Sequence, residues 1–338
     1  MTTGKLTTND FRPPWWLKNA HLQTLWPKLL MHLRQRNGAK KPRQAPLISR
    51  RIELADGDFI DLSISAETQE GPRVLILHGL EGGLDSHYAG SLVERLSRDG
   101  FQPIFMHLRG ASGKPNRLAR SYHSGASEDL REILQVLAED AAGPPLAAIG
   151  FSLGGNLLLK YLGEQTQPLL KQAIAVSVPF VLRDAMLRLE LGFARVYRGY
   201  LLSRLKRGYR QKFAERSSPL AVDLAQINSF NAFDDQITAP LNGFAGVFDY
   251  YQRASCRGYL RQIHTPTLIL HASDDPFMFP STPPFEHELG PGIRLELSRH
   301  GGHVGFIQAR GAGFSSTWLE SRILRELHQG PAAAGHPA

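Results

Sequence analysis

Gly150-Phe151-Ser152-Leu153-Gly154 has the form G-x-S-x-G. A serine in that pattern can serve as a nucleophile where the backbone presents it and a neighbouring base takes its proton. Its context decides the reading. The apolar run 146–149 precedes it and a helical pattern over 153–162 follows, so Ser152 falls on a tight strand-to-helix turn with strained backbone angles. Glycine two residues to either side lets neighbouring backbones pass that closely. Such a turn exposes the hydroxyl at the carboxyl end of a sheet. It also aims the Leu153 amide, and the positive end of the following helix, at a developing oxyanion.

A base and its orienting carboxylate are expected downstream in the order Ser, Asp, His, each just after a strand. The strand pattern 267–271 is followed by Ala272-Ser273-Asp274-Asp275-Pro276, and the pattern 294–297 by His300-Gly301-Gly302-His303. Asp275, at a strand end and before proline, is assigned as the acid, with Asp274 in reserve. His303 is assigned as the base, because Gly301-Gly302 gives its loop the freedom to reach across the sheet edge. His300 reads as a surface residue: a His-x-x-His across two glycines is not on a helix and has no third ligand nearby. The second oxyanion donor is expected in the loop after the strand 73–77, His78-Gly79-Leu80-Glu81-Gly82-Gly83, at the Leu80 amide. A glycine-rich turn alone can be a simple chain reversal; beside a serine elbow it reads as catalytic. This chemistry calls for no metal and no organic cofactor.

These residues need a scaffold. Four short apolar runs, 73–77, 102–106, 146–149 and 172–176, lack period-2 polarity and fit strands buried on both faces. Helical patterns over 88–98, 127–139 and 153–162 lie between them, which predicts an α/β fold with a mostly parallel sheet and helices on both faces. Residues 51–54 and 59–65, around Asp56-Gly57, predict a hairpin. The chain is thus read as an arm over 1–48 packing on the core, a core over 49–178 and 261–328, a helical cap insertion over 179–260, and a disordered tail over 329–338. Within the insertion, Met186, Leu189, Phe193, Tyr197, Tyr200, Leu201, Leu205 and Tyr209 form an apolar stripe at helical spacing. A terminal helix is expected near 314–327.

The 338 residues are 42% hydrophobic and 21% charged, which excludes disorder and collagen-like classes. With only Cys256 there is no internal disulfide, and a reducing, cytoplasmic setting is expected. No apolar run approaches the roughly 18 residues of a membrane span. The net charge of +8 is concentrated: 28–51 holds eight basic residues and no acidic one, and 183–216 ten basic against Asp184, Glu190 and Glu215. Such segments suit an anionic membrane surface or a solvated basic face. No helix-turn-helix, zinc finger or RNA-reading motif accompanies them, so nucleic acid is not an expected partner. Trp15-Trp16 suits a lipid interface, although aromatics packed on the core are the plainer expectation. Asp234-Asp235 is expected to pair with the basic helix, and His123 and Arg109 to anchor loops.

The chain resembles the α/β-hydrolases, and within them the YheT-like branch. The resemblance rests on Phe11-Arg12-Pro13-Pro14-Trp15-Trp16-Leu17, His21-Leu22-Gln23-Thr24, Leu77 to Gly82, Gly150 to Asn156, Asp274 to Phe277 and Gly301 to Phe306. It runs from about residue 9 to about residue 328. It implies an α/β-hydrolase fold, the triad Ser152, Asp275 and His303, and a serine esterase or lipase acting on carboxylic esters, lipid esters included. His107-Leu108-Arg109-Gly110 departs from the pattern, since many hydrolases of this fold carry Asp at its first place. An acyltransferase using the same acyl-serine, or a non-catalytic binder on the same fold, is the alternative.

Overall fold

In the computed structural model, which describes residues 3–36, 46–68, 70–311, 313–315 and 317–330, the apolar runs form the middle of a nine-stranded sheet. The elements in chain order are β1 (Lys5–Thr7), α1 (Ala20–Arg36), β2 (Leu47–Glu53), β3 (Phe59–Ser65), β4 (Arg73–Leu77), α2 (Ala89–Arg98), β5 (Gln102–Met106), α3 (Ser127–Glu139), β6 (Ala147–Phe151), α4 (Leu153–Glu164) and β7 (Gln172–Val176). There follow α5 (Leu182–Leu189), α6 (Ala194–Lys212), α7 (Phe230–Phe233), α8 (Ala239–Leu241), α9 (Val247–Ala254), β8 (Thr267–Ala272), β9 (Ile293–Ser298), β10 (Gln308–Arg310), β11 (Gly313–Ser315) and α10 (Trp318–Gln329).

The strand order is β1-β9-β8-β7-β6-β4-β5-β3-β2. Only β3 runs against its neighbours; every other pairing is parallel. Alternate residues of each central strand supply the two cores. Leu75, Leu77, Ile104, Met106 and Ile269 face α3 and α4. Val74, Ile76, Phe105, Ile149 and Leu270 face α2, α10 and Phe11 of the amino-terminal segment. Burial on both faces is why these runs carry no polar alternation.

At four places the structure adds to or corrects the sequence reading. The described part of the arm holds two regular elements: β1 extends the sheet edge beside β9, and α1 is a 17-residue helix. Three residues are too few to read as a strand, and Pro27 inside α1 hides the helix. The apolar stripe of the insertion is carried on two helices, α5 and α6, separated at Gly192, whose φ of 52° a helix interior does not allow. Phe314 belongs to the β10–β11 hairpin, and the last helix begins at Trp318. Finally, Trp15 is 84% exposed; Phe11 and Leu17 are what the segment buries. Lys40, Lys41 and Arg43, and residues 331–338 of the expected tail, lie outside the described residues.

Candidate active site

Ser152 sits between β6 and α4 at φ 50° and ψ −115°, a conformation a non-glycine residue holds only under constraint. The constraint is visible in its neighbours. A Cβ on Gly150 would lie 2.5 Å from the Gly154 carbonyl oxygen, and one on Gly154 would lie 2.6 Å from those of Leu77 and His78. The Ser152 amide donates to the Val176 carbonyl at 2.8 Å, which ties the turn to the end of β7.

The loops after β8 and β9 bring two more expected residues to the serine. His303 Nε2 lies 3.0 Å from Ser152 Oγ, and His303 Nδ1 lies 2.8 Å from Asp275 Oδ2. An ionised carboxylate can only accept, so the Asp275 contact assigns the proton to Nδ1 and leaves Nε2 as an acceptor for the serine hydroxyl. The other Asp275 oxygen accepts the Phe277 amide at 2.9 Å, and the Phe277 ring stacks on the His303 ring at 4.0 Å. Asp274 is engaged elsewhere: it accepts the Gly302 amide and contacts His300 Nδ1 at 3.2 Å, so the pair of adjacent aspartates divides cleanly.

The loop after β4 returns beside the serine, where a Cβ on Gly79 would lie 3.2 Å from Ser152 Cβ. Its amides are shared out. Gly79 N donates to the Tyr88 hydroxyl and Glu81 N to the Tyr122 hydroxyl, each at 3.0 Å. Among the described residues no acceptor within the protein takes the Leu80 or Leu153 amide, so both remain available to a ligand oxygen. His78 braces the loop: Nδ1 donates to the Gly79 carbonyl at 2.7 Å, and Nε2 accepts the Leu108 amide at 3.1 Å. Burial pushes its pKa down to about 4, so it is a neutral ring with a set tautomer.

Several positioning residues escaped the sequence reading. Thr24 Oγ1 on α1 accepts the His303 amide at 2.9 Å. Gln23, fully buried beside it, accepts the Ile307 amide and donates to the Ile307 and Leu17 carbonyls. Ser177 Oγ accepts the Val304 amide, and His87 Nε2 donates to the Val304 carbonyl. Glu81, Ser152, Ser177, Val304 and Phe306 all hold positive φ, so strained backbone gathers around this one site. Asn156 ties α4 to the insertion, donating to the Ser124 and Ala254 carbonyls and accepting the Cys256 amide. The signal for Gln23, Thr24 and Asn156 was present in the quoted motifs, but motif letters alone carry no role.

A cavity of about 390 Å³ opens between the core and α5–α9, within the range of small-molecule sites. Leu80, Leu153, Met186, Leu205, Phe230 and Phe233 line its apolar part, and Lys212 and Asp234 stand in its wall. Asp234 does not pair with the basic helix, contrary to expectation. It accepts from the Thr238 and Tyr251 hydroxyls, and burial raises its pKa to about 6, while Asp235 accepts the Val247 amide. Arg109 and His123 do anchor loops. Arg109 is buried against Asp58, Asp56 and Asp129, and His123 Nδ1 accepts the Gly125 amide.

Residues 72–309 match the profile of the alpha/beta hydrolase fold family. The chain belongs to that family. It is 42% identical to the Escherichia coli (strain K12) protein named "Putative esterase YheT", over 93% of this chain and 92% of the relative. A mouse (Mus musculus) relative named phospholipase ABHD3 is 28% identical, over 98% of this chain and 81% of its own length. Among solved structures, the Pyrococcus furiosus esterase Pf2001 superposes with a TM-score of 0.55 at 15% identity, covering 85% of this chain and 94% of that one. That likeness speaks for the hydrolase fold alone. No helix of the described residues is long and apolar enough to cross a membrane.

Proposed function

We propose that this hydrolase cleaves carboxylic esters, lipid esters among them, through an acyl intermediate on Ser152. The observation that carries the reading is the unbroken relay from Ser152 Oγ through the His303 ring to the Asp275 carboxylate, at 3.0 and 2.8 Å. His303 Nε2 takes the hydroxyl proton as Ser152 Oγ bonds to the ester carbonyl carbon. Asp275 holds Nδ1–H and stabilises the imidazolium. The carbonyl electron pair moves to oxygen, which the Leu80 and Leu153 amides receive. Collapse expels the alkoxide, which takes the proton from His303. Water then attacks the acyl-serine with His303 again as base, releasing the acid and restoring Ser152.

The names esterase and phospholipase among the relatives support an ester substrate with an acyl chain. In this reading the cavity beside Leu80 and Leu153 takes the acyl group, and the insertion over 179–260 is the cap that shapes it. The test is hydrolysis of para-nitrophenyl esters from acetyl to palmitoyl, with Ser152→Ala alongside. Turnover should fall on the order of 10⁶-fold in the variant. If no chain length gives Ser152-dependent turnover, simple ester hydrolysis is wrong, and transfer to an added alcohol or plain ligand binding takes its place.

A further inference from the structure

Two neighbouring helices each turn an apolar stripe toward solvent. On α1 the stripe is Leu22, Leu25, Leu29 and Leu33, spaced along one face, with Leu29 47% exposed. On α6 and the residue before it, Phe193, Val196 and Tyr200 share one face, with Val196 57% exposed. The two stripes adjoin. The His21 ring lies 4.7 Å from that of Phe193, and Lys28 Nζ donates to the Tyr200 hydroxyl at 2.7 Å. Trp16 extends the surface by packing edge-on against Trp26 of α1, with Trp15 exposed beside it. Among the described residues these side chains stay open to solvent, and an apolar surface of this kind marks an interaction site.

The surface also leads to the chemistry. From His303 the aromatic contacts run to Phe277 at 4.0 Å, then to Tyr197 at 4.9 Å, then to Phe193 at the exposed edge. The inner face of α1, through Gln23 and Thr24, holds the His303 loop, so the outer face of the same helix sits beside the site.

Its charge identifies the occupant. Neither α1 nor α6 contains an acidic residue. Lys18, Arg195, Arg207 and Arg210 are exposed, and none forms an ion pair among the described residues. Along α6 the apolar face of Val196 and Tyr200 continues into Ser203, Arg207 and Arg210, an apolar stripe ending in cations. A second copy of the chain docked here would bring like charges together. A lipid bilayer with anionic headgroups accepts both features, aromatic and leucine side chains below the headgroups and cations among them.

We infer that the outer faces of α1 and α6 dock this hydrolase on an anionic lipid surface, with the mouth of the Ser152 site facing the bilayer. The inference deepens the lipid-ester reading and rests on it for its purpose. Its test is flotation of Ser152→Ala protein with vesicles of phosphatidylcholine alone or of phosphatidylcholine and phosphatidylglycerol in equal parts. No turnover is needed, so failure of docking appears in flotation and failure of the ester reading appears only in hydrolysis. The protein should float with the anionic vesicles and be released by salt. Leu29→Gln with Val196→Gln should lower partitioning about tenfold, and Arg195→Gln about fivefold. Both variants, made with Ser152 intact, should hydrolyse a soluble short-chain ester at the parent rate. Flotation that ignores headgroup charge, flotation unchanged in the stripe variants, or no flotation by folded protein would overturn the proposal. So would a dimer in solution that Leu29→Gln separates, since a second copy would then be the occupant.

Discussion

Replacing Thr24 by valine removes one hydroxyl while keeping the branched shape of the side chain. That hydroxyl lies 2.9 Å from the His303 amide and donates to the Ala20 carbonyl at 2.8 Å. Thr24→Val leaves the His303 amide without its acceptor, at a cost of about 1–3 kcal/mol for a buried donor. The loop has no room to turn the amide elsewhere on the α1 side. A Cβ on Gly302 would already lie 2.5 Å from the Ala20 carbonyl and 2.9 Å from Gln23. The loop should therefore shift away from α1 and carry the imidazole off the Ser152 line. A displacement of order 1 Å costs about 10²-fold in rate, so kcat should fall roughly 10- to 100-fold with KM little changed. Steady-state kinetics on a soluble ester, with the thermal midpoint recorded alongside, measures this. Thr24→Ser keeps the oxygen and should recover most of the activity, which a purely steric role for Thr24 would not predict. Wild-type kcat in folded Thr24→Val would refute the claim that α1 positions the histidine.

Acid should destabilise the fold through its buried histidines. His78 and His271 are buried and neutral, each with its pKa pushed down by burial from 6.5 to about 4. Above pH 6.5 both folded and unfolded forms are neutral and the stability is fully present. As the pH falls toward 4 the unfolded chain binds protons that the native one refuses, so the unfolding free energy from urea titration should drop by roughly 2 kcal/mol per histidine at about pH 5. Both ring nitrogens of His271 lack a partner among the described residues, so His271→Leu should flatten that drop rather than destabilise the protein at neutral pH. At the Arg109 cluster, Arg109→Met takes the shared cation from two buried carboxylates, leaving Asp129 the longer contact to Arg120 at 3.3 Å and Asp58 its neutral donors. It should cost about 3–5 kcal/mol by urea unfolding, and an unchanged midpoint would contradict the structure there.

The parts of the fold legible in the sequence are those where burial dictates residue type. Runs such as Arg73–Leu77 and Gln102–Met106 are buried on both faces and carry no competing signal, so their limits agree with the strands to the residue. The serine elbow is legible because sterics demand glycine at 150 and 154 whatever else surrounds them. What was not legible depends on partners distant in the chain. Thr24 and His303 are 279 residues apart, and nothing local in His21-Leu22-Gln23-Thr24 states that its hydroxyl meets the histidine loop. Trp15 and Trp16 misled for the opposite reason: aromatic residues normally repay burial, and here the neighbouring Phe11 and Leu17 are buried instead. Asp234 shares the insertion with the basic helix, but its partners in space are the Thr238 and Tyr251 hydroxyls.

The proposed reaction requires an acyl group carried on Ser152. The direct measurement is mass spectrometry of protein quenched during turnover of a para-nitrophenyl ester, followed by peptide mapping. The relay predicts one added acyl mass, confined to the peptide bearing Ser152 and absent from Ser152→Ala. Turnover with no adduct on Ser152, or with the adduct on another residue, would contradict it.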